Sequence, residues 1–91
     1  MTAVGERFAV RVMVTDVWDQ VFLAVEPTMT VRELKRQALA QALKRPHVRL
    51  EDYVVKFLGA QVLEESTTLA ALGAVPNAAF IVLPARRLAV R

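Results

Sequence analysis

The sequence predicts an α+β fold in which a mixed sheet of four to five strands packs on one main helix, with a short helical turn before the last strand. Three observations predict it. Apolar residues alternate near the start of the chain, which is typical of half-buried strands. One longer stretch, residues 31–44, has apolar residues at the three and four spacing of an amphipathic helix. Proline, glycine and acidic pairs then separate several short apolar runs, which indicate further strands.

The first two strands form a predicted hairpin. Residues 8–15 alternate, and the inward positions are Phe8, Val10, Val12 and Val14. Residues 16–20 interrupt the alternation with two aspartates and provide the connection. The return strand, residues 21–26, directs Val21, Leu23 and Val25 inward and ends before Pro27, which cannot donate to a ladder.

Thr30 and Glu33 predict where the main helix begins. They form a capping box, in which the threonine oxygen accepts an amide of the first turn and the glutamate reaches back to the cap. The apolar stripe that faces the sheet comprises Val31, Leu34, Ala38, Leu39, Ala42 and Leu43. The opposite face is expected to meet solvent through Arg32, Lys35, Arg36, Gln37 and Gln41. The helix should end near Lys44-Arg45, because Pro46 disfavours helical geometry in the preceding residue.

The second half of the chain contains shorter elements. Residues 46–52 form a connector whose Val48 and Leu50 lie under the helix. Residues 53–58 are predicted as a third strand that directs Val55 and Phe57 inward and is closed by Gly59. Residues 60–63 form a short fourth strand.

A helical turn and a final strand complete the prediction. Ser66 or Thr67 is expected to cap the turn, which carries Leu69 and Leu72 and ends at Gly73. Residues 79–83 form the last strand with Phe80 and Val82 inward, and Pro84 ends it. Residues 1–7 and the arginine-rich residues 85–91 are predicted to be flexible, which leaves one domain over residues 8–84.

Length and composition favour a single small soluble domain. The 91 residues suffice for a modest core but not for two domains. The absence of cysteine excludes disulfides and cysteine-based metal or redox chemistry and suits a reducing compartment. The chain shows no signal-like start and no apolar run long enough to span a membrane. We therefore expect a cytoplasmic protein, and its net charge of +3 is too small to indicate a nucleic-acid binder.

Several short motifs, taken in order, carry a resemblance. The segment Val25-Glu26-Pro27-x-x-Thr30-Val31-x-x-Leu34-Lys35 is similar to the strand-turn-helix segment of ubiquitin. Later residues resemble its third strand, turn glycine, short fourth strand and last helical turn, namely Lys56-Phe57-Leu58-Gly59, Gln61, Leu63-Glu64 and Thr68-Leu69. The resemblance covers roughly residues 8 to 83 and implies a ubiquitin-like β-grasp fold.

Three departures from ubiquitin bear on function. Ubiquitin and the related sulfur carriers act through a C-terminal Gly-Gly, and this chain contains none, so we expect a non-conjugating protein. Lys56 lies where ubiquitin carries the central isoleucine of its recognition patch. An unpaired ammonium is costly to desolvate, so the chain should not replace ubiquitin at its usual receptors. The first hairpin is also about a residue shorter, with Trp18 near its tip.

The outer face of the sheet is the leading candidate site. Residues that point away from the helix, with Trp18 at the border, form the predicted partner-binding set: Arg11, Met13, Trp18, Phe22, Val54, Lys56, Ile81 and Leu83. Large exposed apolar patches usually mark interaction sites, and tryptophan and arginine are frequent among residues that carry binding energy. Two alternatives remain open: the tail from Pro84 folds over this face, or these residues are simply good β-formers.

Other candidate sites are weaker. The helix face with Arg32, Lys35 and Arg36, extended by Lys44, forms a secondary basic surface for an acidic partner or a membrane, although such a run is often just solvated. His47 has no second ligand at sensible spacing, so we expect no metal. The adjacent pairs Glu51-Asp52 and Glu64-Glu65 point apart, and no phosphate loop or nucleophile is evident, so we expect no catalytic residue and no cofactor.

These observations predict a non-catalytic protein-protein interaction module, acting as an adaptor or accessory subunit of a larger bacterial assembly, with self-association as one form of partner binding. Among ubiquitin-like proteins without Gly-Gly, it looks most like the small bacterial proteins of the YukD kind, which accompany type VII secretion machinery. The alternatives are an accessory subunit of a multicomponent enzyme and a modifier or sulfur carrier with an unconventional terminus. No small-molecule substrate is expected.

Overall fold

The computed structural model describes residues 7–44 and 48–85. In chain order the elements are β1 Phe8–Val14, β2 Asp19–Val25, α1 Val31–Leu43, a 3₁₀ turn Leu50–Asp52, β3 Tyr53–Phe57, β4 Ala60–Gln61, α2 Leu69–Leu72 and β5 Ala79–Pro84. The predicted termini, residues 1–7 and 85–91, lie outside this part of the chain except for Arg7 and Ala85. So do Arg45, Pro46 and His47.

The strands form one mixed sheet in the order β2-β1-β5-β3-β4. The first and last strands are parallel neighbours at its centre, and all other pairs are antiparallel. Helix α1 packs on one face only, because its apolar stripe is opposed to the inward residues of the strands. The predicted α+β architecture is confirmed, with five strands on one main helix.

The core lies between α1 and the inner face of the sheet. Its fully buried side chains include the valines of β1 at alternate positions, Val10, Val12 and Val14, as the period of two predicts. The rings of Phe57 and Phe80 stack with centroids 4.8 Å apart beside this core. Phe8 and Phe57 were also expected to face inward, and both are only partly buried against the core.

The strand boundaries differ from prediction in two places. β2 begins at Asp19 rather than Val21, because the backbone ladder continues to the pair Val14–Asp19 although the side chains there are polar. β3 ends at Phe57, and Leu58 enters a two-residue turn with Gly59, in which both residues have positive φ of 55° and 84°. This pair of φ values is that of a type I′ hairpin turn.

The N-terminal ends of α1 and α2 are joined by backbone hydrogen bonds. Glu33 N–H donates to the cap oxygen Thr30 Oγ1 at 3.2 Å, as predicted. The first-turn amides of Val31 and Arg32 donate to backbone carbonyls before α2, at 3.0 and 2.9 Å, so these helix donors are satisfied. The second half of the capping box is not formed. The Glu33 carboxylate accepts hydrogen bonds from side chains one turn further along α1 instead.

Helix α2 is capped later than predicted, by one residue from Thr67 and two from Ser66. The cap is Thr68, whose Oγ1 accepts from Ala71 N–H at 3.1 Å, rather than Ser66 or Thr67. The helix ends at Gly73 with φ 92°, as expected for a left-handed C-terminal residue. Ser66 donates its hydroxyl to Glu64 instead.

Lys35 is the main correction to the predicted helix. It was expected on the solvent face, but only 2% of it is exposed. Its Nζ donates to Leu50 O at 2.7 Å and Tyr53 O at 2.9 Å, and it forms an ion pair with Glu65 Oε1 at 2.7 Å. The ammonium can bury itself because all three of its donors are satisfied. It thereby joins α1 to the start of β3 and to the segment before α2.

Candidate interaction surface

The outer face of the sheet carries a continuous row of side chains across all five strands. At its centre Met13 on β1 lies beside Ile81 on β5, and Ile81 lies beside Lys56 on β3. Gln20 and Gln61 extend the row to the two edge strands. Side chains that are directly opposite on neighbouring strands lie close enough to contact, so these residues form one surface.

Two shorter rows flank it. On one side Phe22 on β2 lies beside Arg11 on β1, which lies beside Ala79 on β5. On the other side Leu83 lies beside Val54. We call the seven predicted residues that the sheet brings together the outer-face patch: Arg11, Met13, Phe22, Val54, Lys56, Ile81 and Leu83.

The patch is apolar at its centre and unevenly exposed. Phe22 is 59% exposed and Ile81 is 42% exposed, whereas the other five members are half-buried. Helix α1 packs on the opposite face of the sheet, against the buried core residues. The alternative that the tail covers the patch concerns residues beyond Ala85, outside the described part.

The patch has a single sign of charge. Among the side chains that the five strands direct outward, the only charged ones are Arg11 and Lys56, both cationic. Arg11 Nη2 donates to Asn77 O at 3.5 Å, a long bond, and its Nε is buried with no hydrogen-bond partner among the described residues. The long bond leaves donors of the terminal nitrogens available, and an added acceptor at the surface would bind there.

Trp18 lies at the tip of the first hairpin, beyond the ends of the strands. It is 77% exposed, its φ is 49°, and its N–H donates to Thr15 O at 3.2 Å to close the turn. The structure therefore places it apart from the rows that form the patch. Val17 beside it is also exposed and was missed by sequence reasoning, because loop residues have no periodicity.

Sequence reasoning also missed three exposed apolar residues. They are Leu58, Leu63 and Val75. Leu58, which is 86% exposed, was assigned to a strand, and only the following glycine signals that the chain turns there. Leu63 was placed in the fourth strand, but that strand ends at Gln61.

The predicted basic helix face is not formed as expected. Lys35 is buried, as described above, and the Arg36 guanidinium is occupied by Glu33 through bonds from Nε and Nη2. These bonds, followed by one from Gln37, lower the pKa of Glu33 to about 2. Arg32 and Lys44 remain exposed, and Lys44 has the left-handed φ of 57° that ends α1. The cations on this face therefore do not act together.

The described residues contain no group of three or more histidine, cysteine, aspartate or glutamate side chains that could hold a metal ion. The predicted acidic pairs behave as separate groups, since Glu65 pairs with Lys35 and Glu64 accepts from Ser66. His47 lies outside the described residues. None of the helices within residues 7–44 and 48–85 combines the length and apolar character needed to cross a bilayer.

Comparison by sequence finds nothing: no family model matches the chain, and neither does any curated protein. Comparison with solved structures, in contrast, finds similar folds. The fold is similar to Caldiarchaeum subterraneum ubiquitin, with a TM-score of 0.73 and 15% identity over 86% of this chain and 92% of that one. It is also similar to the ubiquitin-like domain of an Arabidopsis thaliana protein solved by NMR, with a TM-score of 0.70 and 17% identity over 86% and 77%. At these identities the likeness concerns the fold, and the chain has a ubiquitin-like β-grasp fold.

Proposed function

We propose that the protein is a non-catalytic ubiquitin-like interaction module, which acts as an adaptor or accessory subunit of a larger bacterial assembly, such as a secretion system, in the cytoplasm. The observation that carries the proposal is the outer-face patch. It combines five apolar side chains with two cations on the outer face of four neighbouring strands, and it carries no carboxylate. A small domain seldom leaves such a surface without a partner.

Burial energetics support a partner on this face. Phe22 and Ile81 keep about half of their area in water, so covering them is worth about 1 kcal/mol each, that is, about half of the 1.5–3 kcal/mol for burying such a side chain completely. Of their half-buried neighbours, Val54 and Leu83 have short side chains, so little side-chain entropy is lost when a partner covers them. These are the properties of an interface centre rather than of a rim.

Charge narrows the chemistry of the partner. Arg11 and Lys56 are the charges of the patch, and Arg11 Nη2 donates only a long bond of 3.5 Å, to Asn77 O. A partner that presents carboxylates on either side of an apolar centre satisfies both cations. An arginine–carboxylate bond of this kind is stronger than a neutral one. The partner surface is therefore expected to be acidic at its margins.

The proposal is tested by one substitution at the centre of the patch and one on the opposite face. Ile81→Glu introduces a charge in the middle of the row, whereas Ala40→Glu introduces the same charge on the exposed side of α1. Proteins cross-linked to the wild type in lysate of the source organism are expected to persist with Ala40→Glu and to be lost with Ile81→Glu. Equal retention by both variants contradicts the proposal.

The competing covalent role has its own test. A modifier or sulfur carrier is activated at its C-terminal carboxylate, so incubation with ATP and an activating enzyme gives an adenylate or a thiocarboxylate. Mass spectrometry detects either product. We expect neither, and the appearance of one replaces the proposal of non-covalent association.

A further inference from the structure

The strand β2 is an edge of the sheet, and it is the longer of the two edges. It has seven residues, whereas the opposite edge strand β4 has two. An edge strand presents unpaired backbone groups, which template the addition of another strand. Within residues 7–44 and 48–85 no strand pairs with the outer edge of β2, which makes it a candidate binding site separate from the side chains of the outer-face patch.

The pairing of β1 shows which backbone groups of β2 are free. Arg11 N–H donates to Ala78 O at 2.8 Å and Thr15 N–H donates to Val82 O at 3.0 Å, so odd-numbered residues of β1 bond to β5. Even-numbered residues of β1 must then bond to β2, where the register places odd-numbered partners. The residues whose N–H and C=O point away from the sheet are consequently Gln20, Phe22 and Ala24.

This edge lacks the usual protection against pairing. Natural edges are blocked by lysine, proline, bulges or inward-pointing charges. Residues 20–25 contain no charge, no proline and no glycine, and the ladder with β1 continues without a bulge through all seven pairs. The nearest charges, Asp19 and Glu26, lie at or beyond the two ends of this stretch. The segment has the composition of a strand that pairs readily.

We propose that a second copy of this chain pairs with β2 in antiparallel orientation, about a two-fold axis centred on Phe22. The two-fold axis places Phe22 opposite Phe22 of the second copy and Gln20 opposite Ala24. In each copy Gln20, Phe22 and Ala24 then donate one N–H and accept at one C=O. The two copies together form about six intermolecular hydrogen bonds. The two phenylalanine side chains meet on the outer face as a cross-strand aromatic pair.

The edge is self-complementary in charge. In this register Asp19 opposes Val25 and Glu26 opposes Trp18, so no two like charges face each other. The nearest cations on the outer face are the two Arg11 side chains, on strands three spacings apart. That separation is about 14 Å, which exceeds the Debye length at physiological salt. Repulsion across the axis is therefore small.

A second copy explains the edge better than an unrelated strand. The pairing requires a strand whose central residue is apolar and whose neighbouring residues are uncharged, and β2 itself is such a strand. The contact is limited to one strand per copy, so its area lies at the low end for specific interfaces. We expect a dimer that dissociates in the micromolar range or above.

The absence of cysteine permits a direct test of the register. Gln20→Cys and Ala24→Cys are prepared as separate single variants and mixed under mild oxidation. In the proposed pairing their Cα atoms are about 5.5 Å apart, within disulfide range. In either variant alone the two cysteines are about 14 Å apart along the strands and cannot bond. We expect a disulfide-linked dimer from the mixture and little from each variant alone. Equal yields in all three samples, or no dimer in the mixture, overturn the proposal.

Sedimentation of the unmodified chain provides the second readout. Ala24→Pro removes one outward N–H without removing any bond to β1, a position at which an edge strand tolerates proline. We expect the wild type and Ile81→Glu to approach twice the monomer mass as concentration rises, and Ala24→Pro to remain monomeric with an unchanged circular dichroism spectrum. A dimer lost with Ile81→Glu but kept with Ala24→Pro assigns self-association to the patch and overturns edge pairing. Loss of partner capture with Ile81→Glu is scored separately, so the two proposals fail independently.

Discussion

Replacing Glu65 by alanine is expected to destabilise the domain by about 3 kcal/mol, although Glu65 lies in a loop. The reason is its partner, Lys35, whose Nζ lies 2.7 Å from Glu65 Oε1 and whose side chain is only 2% exposed. The substitution leaves a buried ammonium without a counter-charge. Two backbone carbonyls, of Leu50 and Tyr53, remain bound to it.

The magnitude follows from the two sides of the pair. Breaking a buried ion pair by removing one partner costs about 3–5 kcal/mol, and the two retained carbonyls place Glu65→Ala at the low end. Lys35→Met removes the ammonium and leaves a carboxylate that is 20% exposed and can be hydrated, so about 2 kcal/mol is expected. A domain of this size is stable by roughly 5–14 kcal/mol, so either loss is large.

Urea unfolding of the two single variants and the double variant measures the coupling. We expect the double variant to cost about as much as Lys35→Met alone, because Glu65 has no buried charge left to neutralise. Glu64→Ala is the matched control: it removes an adjacent carboxylate whose bond to Ser66 is exposed, and it should cost less than about 0.5 kcal/mol. Additive losses, or a Glu65→Ala effect no larger than the control, refute the buried pair.

Three further predictions concern single residues, each measured by denaturant unfolding. Because bonding to Arg36 lowers the pKa of Glu33 to about 2, the stability it contributes is present above its ordinary pKa and lost as pH falls through about 2. The difference between wild type and Glu33→Gln should therefore vanish at low pH, and a difference that persists there contradicts the assignment. Leu58→Asn should stabilise the chain by about 0.5–1 kcal/mol, since asparagine tolerates positive φ better than leucine does; a loss of stability shows instead that the Leu58 side chain makes a stabilising contact. Thr68→Ala should cost about 1 kcal/mol by removing the cap of α2, whereas Thr67→Ala should cost less.

Much of the fold could be predicted from local patterns. Alternation in β1 and the Thr30 cap of α1 depend on residues that are near neighbours in sequence, so their signals survive without tertiary information. The boundaries that were wrong depend on backbone pairing instead. Asp19 joins β2 because the ladder extends to it, and Leu58 turns because Gly59 permits a hairpin of two residues.

The burial of Lys35 could not be predicted for a similar reason. It adjoins the apolar stripe of α1, but so do the exposed residues Arg32 and Arg36. What distinguishes it is the position of two carbonyls and one carboxylate that lie 15 to 30 residues away in sequence. The membership of the outer-face patch, by contrast, followed from the alternation within each strand together with the strand order that the β-grasp resemblance implies. The exposed fraction of each member could not be predicted, because it depends on the side chains of neighbouring strands.

The patch and the free edge have a joint consequence. In the proposed pairing the two-fold axis is perpendicular to the sheet, since opposed residues of paired strands point to the same side. Both outer-face patches therefore lie on one side of a continuous sheet, with the Phe22 pair between them. A partner with two acidic docking segments then binds the second patch at a high effective concentration, so weak dimerisation and weak docking reinforce each other. Ala24→Pro should accordingly weaken capture of a divalent partner while leaving a monovalent one unaffected, which separates bivalent docking from a simple one-to-one complex.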